Sequence, residues 1–165
     1  PPALVPTDHP LASVHGAFNA VLVEAESAGR LMFYGQGAGG APTASAVLSD
    51  VVAAAAHRVH GGRAPRESCY ADLPILGPES AITRYQIQLR VDDKPGSLAA
   101  LAGAFAVNDV SINSVRQNEY VGAEQAIVTI VTHPAAVFHL DAAVEALRKE
   151  ERVLGVVSVR RVEGE

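Results

Sequence analysis

The clearest hydrophobic pattern lies in the second half of the chain. Tyr85–Val91 alternates strictly between apolar and polar residues, a period of two that predicts a half-buried strand. Apolar residues from Leu98 to Phe105 then recur at helical spacing. The same patterns predict a second helix at Val137–Leu147. They also predict three more strands, at Val110–Gln117, Gln125–Thr132 and Val153–Val162. The resulting order predicts an α+β, ferredoxin-like βαββαβ domain with both helices on one face of the sheet.

The first half shows a shorter pattern. Ala17–Glu24 and Arg30–Tyr34 are apolar runs separated by a turn, which predicts a hairpin. A helix is expected from about Pro42 to Arg58, with one apolar face. Two strands and one helix are too small to bury this face alone, so we expect a larger body or a partner.

Composition divides the chain and narrows its class. A stretch rich in Gly, Arg and Pro predicts a linker at 61–81 between regions 1–60 and 82–165. The net charge of −5 and pI near 5.7 argue against a nucleic-acid partner. A single cysteine excludes a disulfide within the chain, and no run is apolar enough to cross a membrane, so we expect a cytoplasmic protein. His57 and His60 lack a third ligand, and no metal is expected.

The turn after the first strand of the second half has the chemistry to hold an amino acid. Backbone N–H groups at a helix start bind anions such as a carboxylate, and an aspartate accepts from an ammonium group. Small polar residues on the next strand supply further partners. The candidate effector-binding residues are Asp93, Gly96, Ser97, Leu98, Ser111, Ile112 and Asn113. The alternative is that these are only turn, cap and surface residues.

The same stretch resembles an ACT domain over about Ile82–Val162. The motifs are Asp-Lys-Pro-Gly-Ser-Leu at 93–98, Phe105, and Asp-Val-Ser-Ile-Asn at 109–113. The resemblance implies a regulatory module that binds an amino acid and pairs as a homodimer or higher oligomer, with ligands between copies. Asn108-Asp109 departs from the glycine common in the family, but both residues tolerate left-handed backbone.

The glycine-rich loop Gly35–Gly40 satisfies G-x-G-x-x-G, yet no second strand with an acidic residue follows, so a free-standing dinucleotide fingerprint is excluded. Together with Asp8–Val21 and the segment through Asp50, it resembles the end of the catalytic region of homoserine dehydrogenase, over about residues 4–58. The resemblance implies a ββα piece of an α/β catalytic domain. It also implies that four residues border a nicotinamide cofactor: Gly37, Ala38, Gly39 and Thr43. The alternative is that the glycines only permit close packing.

These resemblances imply the C-terminal part of a homoserine dehydrogenase, which interconverts aspartate semialdehyde and homoserine with NAD(P). The ACT domain would bind an effector, with L-threonine expected, for feedback inhibition. The resemblance implies a catalytic lysine and acidic substrate contacts in the catalytic region of the family. The only lysines of this chain, Lys94 and Lys149, lie in the ACT region, so no catalytic residue is expected here. We therefore expect this chain alone to bind no NAD(P) and to be inactive. The alternative is a non-enzymatic ACT module for amino-acid binding or dimerisation.

Overall fold

The computed structural model describes residues 2–61, 74–119 and 124–164. These residues form two compact units, whose boundaries fall after Val5 and between Pro74 and Ile75. One unit holds the residues up to Val5 and those from Ile75 onward, and the other holds the stretch between. In chain order the elements are β1 (Ala3–Leu4), β2 (Phe18–Ala25), β3 (Gly29–Gln36), α1 (Gly40–His60), β4 (Ile82–Asp92), α2 (Ser97–Ala106), β5 (Ile112–Glu119), β6 (Gln125–Thr132), β7 (Ala135–Ala136), α3 (Val137–Lys149) and β8 (Val153–Val162), with short 3-10 turns at Pro10–Ser13 and Pro78–Ser80.

The larger unit has the ferredoxin-like order that the sequence predicts. Its strands lie in the order β1-β8-β4-β6-β5, and β7 adds to one end of β4. The pairs β8–β4, β4–β6 and β6–β5 are antiparallel, whereas β1 adds in parallel to β8 through Ala3 and Arg161. In this order β5 forms one edge of the sheet.

One face of this sheet packs against both helices. The inward residues of β4 are the alternating apolar set expected from the sequence, and all are buried: Tyr85, Ile87, Leu89 and Val91. They pack with the apolar faces of α2 and α3, whose buried members are Leu101, Phe105, Leu140, Ala143, Val144 and Leu147. The apolar face of the strand, which repeats every two residues, and those of the helices, which repeat every 3.6 residues, therefore pack in a single core.

A left-handed turn follows α2. Asp109 has φ +56°, as the tolerance of Asn and Asp for this conformation allows. Asn108 Nδ2 donates to the Ala104 carbonyl at 2.8 Å, and the Val110 N–H donates to the Phe105 carbonyl at 3.1 Å. The turn uses residues before Ile112, so β5 begins two positions later than Val110.

The smaller unit contains the expected hairpin and helix. β2 and β3 pair in antiparallel register from Phe18 with Gln36 to Ala25 with Gly29. α1 starts at Gly40, so Pro42 is its third residue and not its first, and the helix ends at Gly61 in left-handed backbone. No residue of α1 is buried, and its apolar face is more than half exposed at Val47, Leu48, Val51 and Val52. The described part of the chain contains no helix long and apolar enough to cross a membrane.

Candidate functional site

The turn between β4 and α2 is held in shape by Gly96 and Ser97. Gly96 has φ +90° and ψ −5°, a left-handed conformation that favours glycine. The Ser97 N–H donates to the Lys94 carbonyl at 3.1 Å, and the Ser97 hydroxyl donates to the Asp92 carbonyl at 2.8 Å. Ser97 is buried, so its role is to close the turn.

This geometry corrects one expectation from the sequence. Ser97 was expected to offer a free N–H group, but both of its donors are engaged within the turn. The backbone N–H groups of Gly96, Leu98 and Ala99 have no backbone acceptor among the described residues. The helical ladder begins only with the Ala100 N–H, which donates to the Gly96 carbonyl at 3.0 Å. Three donors therefore remain at the start of α2.

Asp93 places a carboxylate beside these donors. Its Oδ1 accepts from Gln117 Nε2 at 3.0 Å, and its N–H donates to the Glu124 carbonyl at 3.0 Å. Gln117 and the residues from Val91 to Ala99 line an open cavity of about 490 Å³. The site thus combines N–H donors, one carboxylate and one amide, which are the groups needed to hold a zwitterion.

Sequence reasoning missed Gln117 and Arg152. Gln117 is paired with the fully buried Val128, but its own side chain is exposed on the edge strand β5. A polar residue two positions after Val115 was the available signal. Arg152 lies beside the turn, where its Nη1 donates to the Pro95 carbonyl at 2.8 Å. No sequence pattern near Gly96 indicates Arg152, because more than fifty residues separate the two.

The expected contribution of Ser111, Ile112 and Asn113 is not found in the same chain's turn. Ile112 is paired with Thr132, whereas Gln117 is paired with Val128. The five-residue separation along β5 corresponds to about 16 Å. Asn113 lies at a register shift, where a bulge interrupts the pairing. Within one chain these three residues therefore lie toward the opposite end of the strand from Gln117.

The glycine loop before α1 has two distinct structural reasons for its glycines. The Gly37 N–H donates to the Ala17 carbonyl at 2.7 Å, and a Cβ at Gly37 would overlap the Asn19 side chain. Packing inside the unit therefore accounts for Gly37. Gly39 precedes α1 with φ +131°, a conformation that favours glycine, and its carbonyl accepts from the Thr43 N–H at 3.1 Å.

The start of α1 also presents unpaired donors. The N–H groups of Gly40 and Ala41 have no backbone acceptor among the described residues, and Pro42 has no backbone N–H group. Ala38 and Thr43 are exposed beside them. Over the same described residues, no group of three or more His, Cys, Asp or Glu side chains is placed to hold a metal ion.

Comparisons with known proteins match both halves of the chain. A family model described as homoserine dehydrogenase matches residues 1–52, and an ACT domain model matches residues 85–152. The curated homoserine dehydrogenase of Mycobacterium tuberculosis strain H37Rv is 56% identical over 167 residues, covering 99% of this chain and 38% of the relative. That of Corynebacterium glutamicum is 52% identical over 162 residues, covering 98% of this chain and 36% of the relative.

A solved structure agrees with these sequence matches. The crystal structure of a homoserine dehydrogenase from Thiobacillus denitrificans has a TM-score of 0.78 and 34% identity, covering 98% of this chain and 37% of that chain. This chain thus spans less than two fifths of the length of the relatives that it matches. Both resemblances drawn from the sequence are confirmed, in the predicted order.

Proposed function

Because the chain belongs to the homoserine dehydrogenase family and carries an ACT domain, we propose that it is the regulatory C-terminal portion of such an enzyme. The enzyme would interconvert aspartate semialdehyde and homoserine with NAD(P). The ACT domain would bind an amino-acid effector, L-threonine, and lower the enzyme's activity by feedback inhibition.

The observation that carries the effector proposal is the composition of the turn before α2. A bound carboxylate would accept from the Leu98 and Ala99 N–H groups, where the helix dipole also favours negative charge. Arg152, on the other side of Gly96, would add positive potential. The ammonium group would donate to Asp93, and the Gln117 amide would meet a polar side chain such as a hydroxyl. Each end of a threonine molecule therefore has a partner of suitable chemistry.

Pairing of two chains would complete this site. β5 is an edge strand, and a second copy adding to it about a two-fold axis would run antiparallel. An axis near Val115 would set the partner's Asn113 beside Gln117 of the first chain. The residues expected at the site but distant within one chain, Ser111, Ile112 and Asn113, would then be supplied by the partner. This arrangement supports a homodimer with effectors between the copies.

The smaller unit would border the cofactor of the catalytic region. The donors of Gly40 and Ala41 at the start of α1 suit a phosphate of NAD(P), with Ala38, Gly39 and Thr43 beside it. Gly37 would contribute by backbone only, because Asn19 occupies the space next to it. These residues fit one edge of a dinucleotide, and the NAD(P) would supply hydride transfer. The exposed apolar face of α1 would pack against the remainder of that catalytic region.

Feedback inhibition requires that threonine bind one state of the enzyme more tightly than another. A ligand that joins the turn of one chain to β5 of its partner would favour the arrangement of subunits in which these two parts meet. The bias would reach the catalytic region through the chain that connects the two units. The ratio of the threonine affinities of the two arrangements would set the largest shift between them that threonine can produce.

The proposal is tested by calorimetric titration of the chain with L-threonine. Gln117→Ala is expected to weaken binding about tenfold, the loss of roughly one hydrogen bond to a charged or polar ligand group. Gly96→Val is expected to abolish binding, because it strains the turn and displaces Arg152. Gln86→Ala serves as the matched control, since Gln86 lies on the opposite face of the sheet and should bind normally.

Two results would contradict this assignment. Unchanged threonine affinity in Gly96→Val would exclude the turn as the site. Measurable homoserine oxidation by this chain alone, in an assay that follows NAD(P)H, would contradict the expected lack of activity.

A further inference from the structure

A second polar cluster lies at the other end of β4, around Tyr85. The Tyr85 side chain is buried, and its hydroxyl donates to Asp141 Oδ1 on α3 at 2.8 Å. Across the sheet Tyr85 is paired with Arg161 of β8. Asp141 is itself exposed, so its carboxylate is accessible from solvent. A guanidinium and a carboxylate therefore flank one buried hydroxyl.

This end of the sheet also holds two buried polar atoms without partners. Within the described residues, the buried side-chain atoms that lack a hydrogen bond are Thr83 Oγ1 and Arg161 Nε. Thr83 precedes Tyr85 by two residues on the same face of β4, and Arg161 is the cross-strand neighbour of Tyr85. Buried polar atoms are nearly always satisfied, by protein, water or ligand. The unpaired N–H of Arg161 therefore indicates a missing acceptor.

A cavity of about 520 Å³ opens beside these groups. Tyr85, Asp141 and residues 158–161 of β8 line it, together with the apolar side chains of Pro2, Val137 and Val159. β1 is paired with β8 only at Arg161 and Val162, so the edge of β8 before Arg161 has no strand partner in the described part of the chain. The cavity thus combines charged groups with an apolar wall and a free strand edge.

Asp141 and Arg161 do not form an ion pair with each other. The Tyr85 hydroxyl lies between them, and it donates its proton to Asp141. Burial, followed by the hydrogen bond to Asp141, raises the pKa of Tyr85, so the hydroxyl stays protonated at neutral pH. The second oxygen of Asp141 and the guanidinium of Arg161 therefore remain for a ligand that carries both charges.

We propose that this cavity is a second ligand site that binds an α-amino acid with an aliphatic side chain. The carboxylate would accept from the part of the Arg161 guanidinium that lines the cavity, and the ammonium group would donate to Asp141. The aliphatic side chain would lie against Val137 and Val159. The ligand's carboxylate and ammonium groups thus complement the Arg161 guanidinium and the Asp141 carboxylate, which lie on either side of the Tyr85 hydroxyl.

This site is separate from the turn before α2 and does not depend on the function proposed for that turn. Tyr85 and Asp92 lie seven residues apart on β4, which corresponds to about 23 Å. The two concave surfaces share no residue. Both ligands can therefore be bound at once.

Calorimetric titrations of the chain with L-valine, L-leucine and L-isoleucine test the proposal. At least one of these is expected to bind, and the leucine analogues 4-methylpentanoate and 3-methylbutylamine, which lack the ammonium or the carboxylate, are expected to bind about tenfold or more weakly. Asp141→Asn and Arg161→Gln should each weaken the amino acid by a similar factor. Glu145→Gln is the control, because Glu145 lies one turn along α3 and pairs with Arg148 outside the cavity.

Amide chemical shifts locate the bound amino acid. Signals from Tyr85 and residues 158–161 should move, and those from Gly96–Ala99 should not. Gly96→Val should leave this binding unchanged even though it removes threonine binding at the turn, so failure of one site is distinguishable from failure of the other. If Arg161→Gln does not fold, the exposed Asp141→Asn carries the test. Absence of binding up to about 10 mM, or equal affinity in Asp141→Asn, would overturn the proposal.

Discussion

Two glycines of the ACT unit should respond in opposite directions to the same substitution. Gly96 precedes α2 with φ +90°, and a Cβ there would lie 3.3 Å from Arg152 Nη1. Gly103 lies inside α2, and a Cβ there would meet nothing within 4 Å. The pair therefore separates backbone strain from the general effect of adding a methyl group.

The magnitudes follow from these environments. Gly96→Ala forces an L-residue into left-handed backbone, which costs about 1–2 kcal/mol. Crowding of the Arg152 hydrogen bond to Pro95 adds up to about 1 kcal/mol. Gly103→Ala reduces the entropy of the unfolded chain and is expected to stabilise the unit by about 0.5–1 kcal/mol. The two variants should differ by about 3 kcal/mol.

Native-state hydrogen exchange at Ile87 and Leu89 provides the assay, because these buried β4 residues report opening of the ACT unit as a whole. A difference of about 3 kcal/mol corresponds to roughly two orders of magnitude in exchange rate at these amides. Gly96→Asn should recover part of the loss, since Asn tolerates left-handed backbone. Stabilisation by Gly96→Ala, or equal effects of the two alanine substitutions, would refute the reasoning.

Three further outcomes are expected. Thr132→Val should destabilise the ACT unit by about 1–3 kcal/mol in urea unfolding, because the buried Thr132 Oγ1 accepts from the Tyr85 N–H at 3.0 Å, whereas Thr132→Ser should retain most of the stability. The raised pKa of Tyr85 contributes stability that is present below the unfolded pKa of 10.0 and is lost as pH rises above it. The melting temperature should therefore fall more steeply from pH 9 to 11 in the wild type than in Tyr85→Phe, and parallel curves would contradict this. Gly37→Ala should disturb the β2–β3 hairpin by overlap with Asn19, and Asn19→Ala in the same chain should restore its amide shifts; no recovery would exclude that contact as the cause.

Element prediction succeeded where a local period decides the structure. β6 and β8 have the predicted bounds, and the inward residues of β4 are the alternating apolar set. The boundaries moved where a local hydrogen bond or turn competed with the period. β5 starts later because the left-handed turn at Asp109 uses the preceding residues, and α1 starts before Pro42 because Gly39 already provides the turn into the helix.

The candidate effector site was only partly predictable. Asp93, Gly96 and Leu98 lie in one continuous turn, and the sequence alone places them together. Ser97 was misjudged, because its hydrogen bonds to Lys94 and Asp92 depend on how tightly the turn closes.

Local sequence determined the family, the order of elements and the inward faces of the strands and helices, because propensity, period and turn chemistry act over a few residues. Tertiary structure alone decided which distant residues meet. Sheet order brings Gln117 of β5 to Asp93, and the antiparallel pairing of β4 and β8 brings Arg161 to Tyr85. Such contacts depend on strand order and register across the whole sheet, and no local pattern encodes them.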